Sequence, residues 1–127
     1  MPIPSRILAS GNSPLATTSI AGDGATGLVA TGTTQTDALQ LSAVFNAITT
    51  SSASTGVKLP PCEAGAVVYI YNLSGQTLQI YTKETSGVTL NAAVPGSTGV
   101  ALGNTKTGIC YGTSATTWAI TAALSST

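Results

Sequence analysis

Short runs of β-branched and aromatic residues, separated by turn-forming residues about every 8–12 positions, constrain the fold of this chain more than any other feature. The clearest runs are residues 67–71 and 77–81, and Gly75 between them can supply the positive φ that a tight hairpin turn needs. Residues 109–111 and 117–121 predict a second hairpin. There is no long helical segment and no alternation of strands with helices. The pattern therefore predicts an all-β fold, an antiparallel β-sandwich or barrel of short strands.

Alternation within these runs predicts which side chains enter the core. The predicted core residues are Val68, Ile70, Leu78, Ile80, Trp118 and Ile120. Tyr69 and Tyr71 then face the other way, and they give their strand a second face to place against a partner. Trp118 is predicted to anchor the core, and stacking on a sugar is the alternative role for this single indole.

Residues 37–50 fit two structures. Their apolar residues fall both at helical spacing and at alternating positions. The β-branched residues Ile48, Thr49 and Thr50 favour a strand.

The first 26 residues differ in character from the rest. They are predicted to be an extended N-terminal arm, and residues 27–127 a single β-domain. Three prolines in the arm, at positions 2, 4 and 14, oppose regular structure. The candidate partner contacts in the arm are Ile3, Ile7 and Leu8. A flexible terminus that contacts nothing is the alternative.

Charge is scarce: four basic and four acidic residues give a net charge of zero in 127 residues. Four scattered cations make no phosphate-neutralising stripe, so the sequence predicts no nucleic-acid partner. A threonine-rich surface with so few lysines is also poorly protected against association. We therefore expect much of the surface to be packed against copies of this chain or against a larger assembly.

The sequence offers little catalytic chemistry. Histidine is absent, which excludes serine–histidine and cysteine–histidine nucleophile pairs and histidine metal sites. The acids Asp23, Asp37, Glu63 and Glu84 each lie near a turn signal, and nothing in their spacing pairs them. We predict no enzyme, no catalytic residues, no cofactor and no metal site.

Cys62 and Cys110 leave two possibilities open. In a reducing cytosol they are expected to be free, buried thiols. A disulfide between them is the alternative, and it would close a loop of roughly 50 residues.

The N-terminal sequence does not fit a secretory signal, because Pro2, Pro4 and Arg6 interrupt a short apolar run. No run of residues approaches the length of a membrane span. The sequence therefore predicts a protein made in the cytosol, without a membrane partner.

The order of segments resembles that of small β-structured proteins of tailed-bacteriophage particles. The residues that carry the resemblance lie at 46–50, at 56–60 (Gly-Val-Lys-Leu-Pro), at Gly65, at 67–72, at 78–81 and at 116–118. The match covers roughly residues 40–120. It departs from the pattern at residues 83–87, where a Pro-Gly turn is usual, and in the N-terminal arm, which carries no shared motif.

This resemblance implies a head decoration (cement) protein, usually a homotrimer, bound to the major capsid protein or other virion proteins. The implied location is the capsid surface of a virion assembled in the host cytoplasm. A fibre component, a neck or tail adaptor, and a carbohydrate- or receptor-binding β-module are the alternatives.

Overall fold

The computed structural model of the chain describes residues 3–122, which form two short helices and eleven strands. The elements are α1 (Ile3–Ala9), α2 (Pro14–Ala21), β1 (Gly24–Val29), β2 (Leu39–Gln40), β3 (Phe45–Thr50), β4 (Gly56–Lys58), β5 (Val67–Asn72), β6 (Leu78–Tyr81), β7 (Thr89–Leu90), β8 (Val94–Pro95), β9 (Val100–Leu102), β10 (Thr107–Ser114) and β11 (Thr117–Ala122). The outer ends of both predicted units, residues 1–2 and 123–127, lie outside the described residues.

The strands form two sheets, which confirms the all-β class. The larger sheet has the order β1-β3-β5-β10-β11-β7-β8, and the smaller has the order β2-β4-β6-β9. From β1 to β6 the chain places one strand in the larger sheet and the next in the smaller, in strict alternation. Each of these six strands therefore has its sequence neighbours in the opposite sheet.

Wholly antiparallel pairing, as predicted, is wrong. In the larger sheet β1 pairs with β3, and β3 with β5, in parallel, and in the smaller sheet β2–β4 and β4–β6 do the same. A chain that crosses to the other sheet and returns lays its next strand beside the previous one in the same direction. Antiparallel pairs include β10–β11, where the chain reverses directly, and β5–β10 and β6–β9, whose strands are distant in the chain.

The predicted hairpin of residues 67–81 is also wrong, because β5 and β6 lie in different sheets. The amide nitrogen of Asn72 donates to the carbonyl oxygens of Gln76 (2.8 Å) and Leu102 (2.9 Å), and its amide oxygen accepts from Ser74. These bonds hold a corner between the two sheets, with Gly75 at φ 84°. The second predicted hairpin is confirmed as β10–β11.

One core cluster takes side chains from both sheets. Its most deeply buried members include Ile48, Ile70, Leu78, Ile80, Leu90 and Trp118. The predicted core is confirmed for Val68, Ile70, Leu78, Ile80 and Trp118, and Ile120 is half-buried against the cluster. Because Trp118 is fully buried, it is not the surface for stacking on a sugar. Residues 37–50 contain strands β2 and β3, as the β-branched run indicated.

The N-terminal segment is helical where an extended arm was predicted, and strand β1 begins at Gly24, inside the predicted arm. Ser13 caps α2, since its hydroxyl accepts from the Ala16 N–H (3.1 Å), and Pro14 occupies the first helical position. Proline is well tolerated there because its missing N–H would have had no partner in the helix. Gly11, at φ 98°, provides the left-handed residue after α1.

Candidate interaction surface

The outward side of the larger sheet carries the candidate site. Along β5 the side chains alternate, with Val68, Ile70 and Asn72 buried and the residues between them facing outward. Strands β3 and β10 flank β5 and follow the same alternation. We call the resulting surface the aromatic face, formed by Phe45, Val67, Tyr69, Tyr71, Ile109 and Tyr111.

The strand register brings these side chains side by side. Tyr69 of β5 is opposite Phe45 of β3 and Ile109 of β10, and Tyr111 is opposite Val67. The rings of Phe45 and Tyr69 are stacked, with centroids 5.0 Å apart and planes 17° from parallel. The face is therefore continuous across three strands.

A groove of about 560 Å³ lies at one side of the aromatic face. Phe45, Tyr69 and Tyr71 line it, together with the first residues of β1. Gly24, Ala25 and Thr26 of the edge strand β1 have small side chains, so they project less from the sheet than the rings of β3 and β5. The lining is almost entirely apolar.

The aromatic face contains no charged residue. Strands β3, β5, β10 and β11 contain no charged residue along their whole length. Several of the apolar side chains are nevertheless exposed, among them Phe45 (46%), Tyr71 (40%) and Tyr111 (43%). An uncharged, exposed aromatic surface of this kind is typical of a contact surface.

The three candidate contacts of the N-terminal segment lie on α1. Ile3 and Leu8 are exposed, and Ile7 is half-buried. Helix α1 contains no buried residue. A second groove lies between the helices and the sheet, lined by Ile3, Ile20 and Phe45 among others.

Three of the four acids hold loops in place. The carboxylate of Asp23 accepts from the Val44 N–H (3.0 Å), and that of Glu84 accepts from the Cys62 N–H (2.8 Å). Asp37 accepts from both the hydroxyl and the N–H of Thr34, and these hydrogen bonds lower the pKa of its carboxyl. These three acids therefore lie near turns because their carboxylates accept hydrogen bonds from loop backbone. Glu63, the fourth acid, is exposed.

Both cysteines are free thiols. Cys110 is fully buried in β10, and burial raises the pKa of its thiol to about 12. Cys62 is half-buried, and its thiol donates to the carbonyl oxygen of Ser114 (3.3 Å). Burial, followed by the nearby Glu84 carboxylate, raises the pKa of Cys62 as well.

Within residues 3–122, no group of three or more histidine, cysteine, aspartate or glutamate side chains is placed to hold a metal ion. Neither of the two described helices is long and apolar enough to cross a membrane.

Sequence reasoning found the outward tyrosines but missed Phe45 and the groove. In β3 the exposed Phe45 is followed by the buried Asn46 and Ile48, which is the alternation of a strand. The apolar residues of segment 37–50 also fit a helical period, and that second fit hides the strand signal. The groove depends on β1 lying beside β3, a pairing between segments about 20 residues apart that no local pattern encodes.

No family model, no curated protein and no solved structure matches this chain.

Proposed function

We propose that this chain is a structural, non-enzymatic protein of a tailed-bacteriophage particle that acts as a homo-oligomer. The single observation that carries the proposal is the aromatic face, an exposed apolar surface on three strands without charge. Interfaces that form permanently resemble a domain core cut in half and are depleted in charge. In this proposal the two sheets form a sandwich around the shared core, and the outer side of the larger sheet is the contact surface.

The finer assignment rests on the resemblance to small β-structured virion proteins. It is a head decoration (cement) protein that binds the major capsid protein as a trimer, on the capsid surface of a particle assembled in the host cytoplasm. Net charge of zero supports association of like copies, because it leaves little repulsion between them. The carboxylates of Asp23 and Glu84 accept hydrogen bonds from backbone N–H groups, which supports a structural role for these acids rather than a catalytic one.

A receptor- or carbohydrate-binding module is the second candidate, and the groove is the observation that favours it. Phe45, Tyr69 and Tyr71 present rings on which a sugar could stack. Sugar sites also need several polar groups directed at the ligand, however, and this lining is almost entirely apolar. The composition of the groove therefore favours an apolar protein partner.

Sedimentation equilibrium of the purified chain tests the proposal, with an expected mass of three chains at micromolar concentration. Tyr111→Lys places a charge on the aromatic face, and we expect at least tenfold weaker association. Leu73→Lys is the matched control, because Leu73 is equally exposed (44% against 43%) but lies at the corner between the sheets. A monomeric wild-type chain, or equal effects of the two variants, would contradict the proposal.

The particle assignment has its own test. Virions assembled with and without the protein are imaged, and the difference density is expected on the head shell. Density at the neck, tail or a fibre would replace the decoration assignment with the corresponding alternative.

A further inference from the structure

The N-terminal helices form a hairpin whose described apolar side chains are exposed or only half-buried. Helix α1 has seven residues and α2 has eight, and both are well below the length at which an isolated helix is stable in water. Turn contacts hold the hairpin together, including the Gly11 N–H bond to Leu8 (3.0 Å) and the cap at Ser13. Helices this short need apolar packing on at least one side.

The hairpin nevertheless presents apolar side chains to solvent. Ile3 is 62% exposed, Leu8 is 45% exposed and Ile20 is 66% exposed. Arg6 is the single charged residue of the two helices. The hairpin therefore has the same character as the aromatic face: exposed, apolar and nearly uncharged.

The two apolar surfaces are contiguous at the base of the hairpin. Gly24 and Phe45 line both the groove on the aromatic face and the second groove beside the helices. Gly22, at φ 83°, allows this approach, since a Cβ there would lie 2.9 Å from a ring carbon of Phe45. The hairpin of a chain thus starts at the rim of that chain's own groove.

A short, fixed tether joins the hairpin to the sheet that carries the groove. Only Gly22 and Asp23 separate the end of α2 from the start of β1. Asp23 is bonded twice to the start of β3: its carbonyl accepts from the Phe45 N–H (2.9 Å) and its carboxylate from the Val44 N–H (3.0 Å). None of the described residues that line the groove on the aromatic face belongs to the hairpin, so the hairpin of a chain does not occupy that chain's own groove.

We infer that the groove on the aromatic face receives the N-terminal hairpin of a second copy of this chain. The inference rests on the proposed self-assembly and names the surfaces that make it. A second copy supplies one hairpin for every groove, and neither surface carries the charge that would select an acidic or basic partner. A helix that places apolar side chains in an apolar groove of a partner is a common mode of recognition.

The contact has a consequence for symmetry. Hairpin and groove are different surfaces, so the interface is head-to-tail, and repeated head-to-tail contacts close into a ring when the rotation allows. In a three-membered ring every groove receives a hairpin, and every hairpin occupies a groove. This replaces the extended arm of the sequence analysis with a helical one, whose individual helices are about 10–12 Å long.

Disulfide trapping tests the inference in the full chain with a Cys62→Ser background, where the serine hydroxyl can donate to Ser114 as the thiol does. Leu8→Cys and Ala47→Cys chains are mixed and mildly oxidised. We expect a linked pair of chains to form at least tenfold faster than between Leu8→Cys and Ala101→Cys, an exposed site in the other sheet. Linking at the rate of this control would overturn the inference.

The double variant Leu8→Cys with Ala47→Cys identifies the source of the hairpin. Linked trimers are expected, whereas closure within a single chain would overturn the inference in favour of self-docking. Linking of Leu8→Cys chains to each other would overturn it in favour of hairpin-to-hairpin contact. A trimer without the expected link refutes this inference alone, and a monomeric wild-type chain refutes the proposed function with it.

A charge in the groove provides a measurement that does not depend on oxidation. Ala47→Asp is expected to weaken trimer formation at least tenfold, and Ala101→Asp to leave it unchanged, with both variants folded by circular dichroism. Equal trimer formation by the two variants would overturn the inference.

Discussion

Phe45 and Tyr69 lie opposite each other on parallel strands, and their rings stack at a centroid distance of 5.0 Å. A Cβ at Gly22 would meet the Phe45 ring before any other group, so this pair joins the base of the hairpin to the aromatic face. The Phe45–Tyr69 pair therefore lines the groove beside the edge strand β1, and Phe45 also lines the second groove beside the helices.

A double-mutant cycle on this pair is expected to show favourable coupling. Stacked aromatic pairs contribute about 0.5–1.5 kcal/mol beyond the area they bury. The free energies of unfolding of Phe45→Ala, Tyr69→Ala and the double variant are measured in urea, under conditions where the chain is monomeric. A coupling energy of zero would show that the stack contributes nothing beyond burial.

Trp118→Ala is expected to destabilise the protein by about 3–5 kcal/mol, because the fully buried indole leaves a large cavity. Trp118→Phe is the informative companion. The indole Nε1 has no hydrogen-bond partner among the described residues, so phenylalanine loses no bond there and is expected to cost markedly less. Chemical denaturation monitored by circular dichroism measures the free energy of unfolding of both variants. Equal losses of stability would contradict the finding that the indole N–H has no hydrogen-bond partner.

Asn72→Ala is expected to cost about 2–3 kcal/mol, although the residue is polar. Its amide bonds Gln76 and Leu102, and truncation leaves the buried Leu102 carbonyl without this donor. Asn104→Ala is a control at an exposed loop, where the amide oxygen accepts one bond from the Gly75 N–H. The two midpoints of urea denaturation should differ clearly, and similar midpoints would show that the Asn72 corner is not critical.

Asn72 also shows why the sequence predicted strands better than it predicted their partners. The positions of β5, β6, β10 and β11 and the faces they bury follow from alternation, which is local information. The crossing to the other sheet involves contacts between distant segments, such as the bond from Asn72 to Leu102, 30 residues away. Local patterns carry no such information.

The N-terminal helices were missed for a different reason, since their signals are local. Gly11, Ser13 and Pro14 form a helix stop followed by a helix start, but the prolines were interpreted only as helix breakers. The groove could not be predicted, because it requires the parallel pairing of β1 with β3.

Gly112→Ala is expected to destabilise the fold by about 1–3 kcal/mol or more through overpacking. A Cβ at this position would overlap the carbonyl oxygen of Glu63, in a loop bonded to β10 through Gly65 and Ala66. Gly103→Ala is the matched control, because the nearest atoms there belong to the flexible Lys106 side chain at 3.5 Å. Thermal unfolding compares them, and equal melting temperatures would show that the loop yields without cost.

The stability of the protein is expected to decrease between about pH 9 and pH 12 because of Cys110. Burial raises the pKa of its thiol from 9.0 to about 12 in the folded state. Below pH 9 both states keep the proton, so the stabilising effect is fully present. Above it the unfolded chain releases the proton while the folded chain retains it, and the free energy of unfolding falls by about 1.4 kcal/mol per pH unit for this group.

Replacing the thiol isolates its contribution from those of all other groups in the chain. Urea denaturation of wild-type and Cys110→Ala protein at pH 8, 9, 10 and 11 should show a steeper loss in the wild type. Cys62→Ala is the control: its half-buried thiol also has a raised pKa, but the variant keeps Cys110 and should retain most of the wild-type slope. Parallel curves for wild-type and Cys110→Ala protein would show that the Cys110 thiol ionises as readily in the folded chain as in the unfolded one.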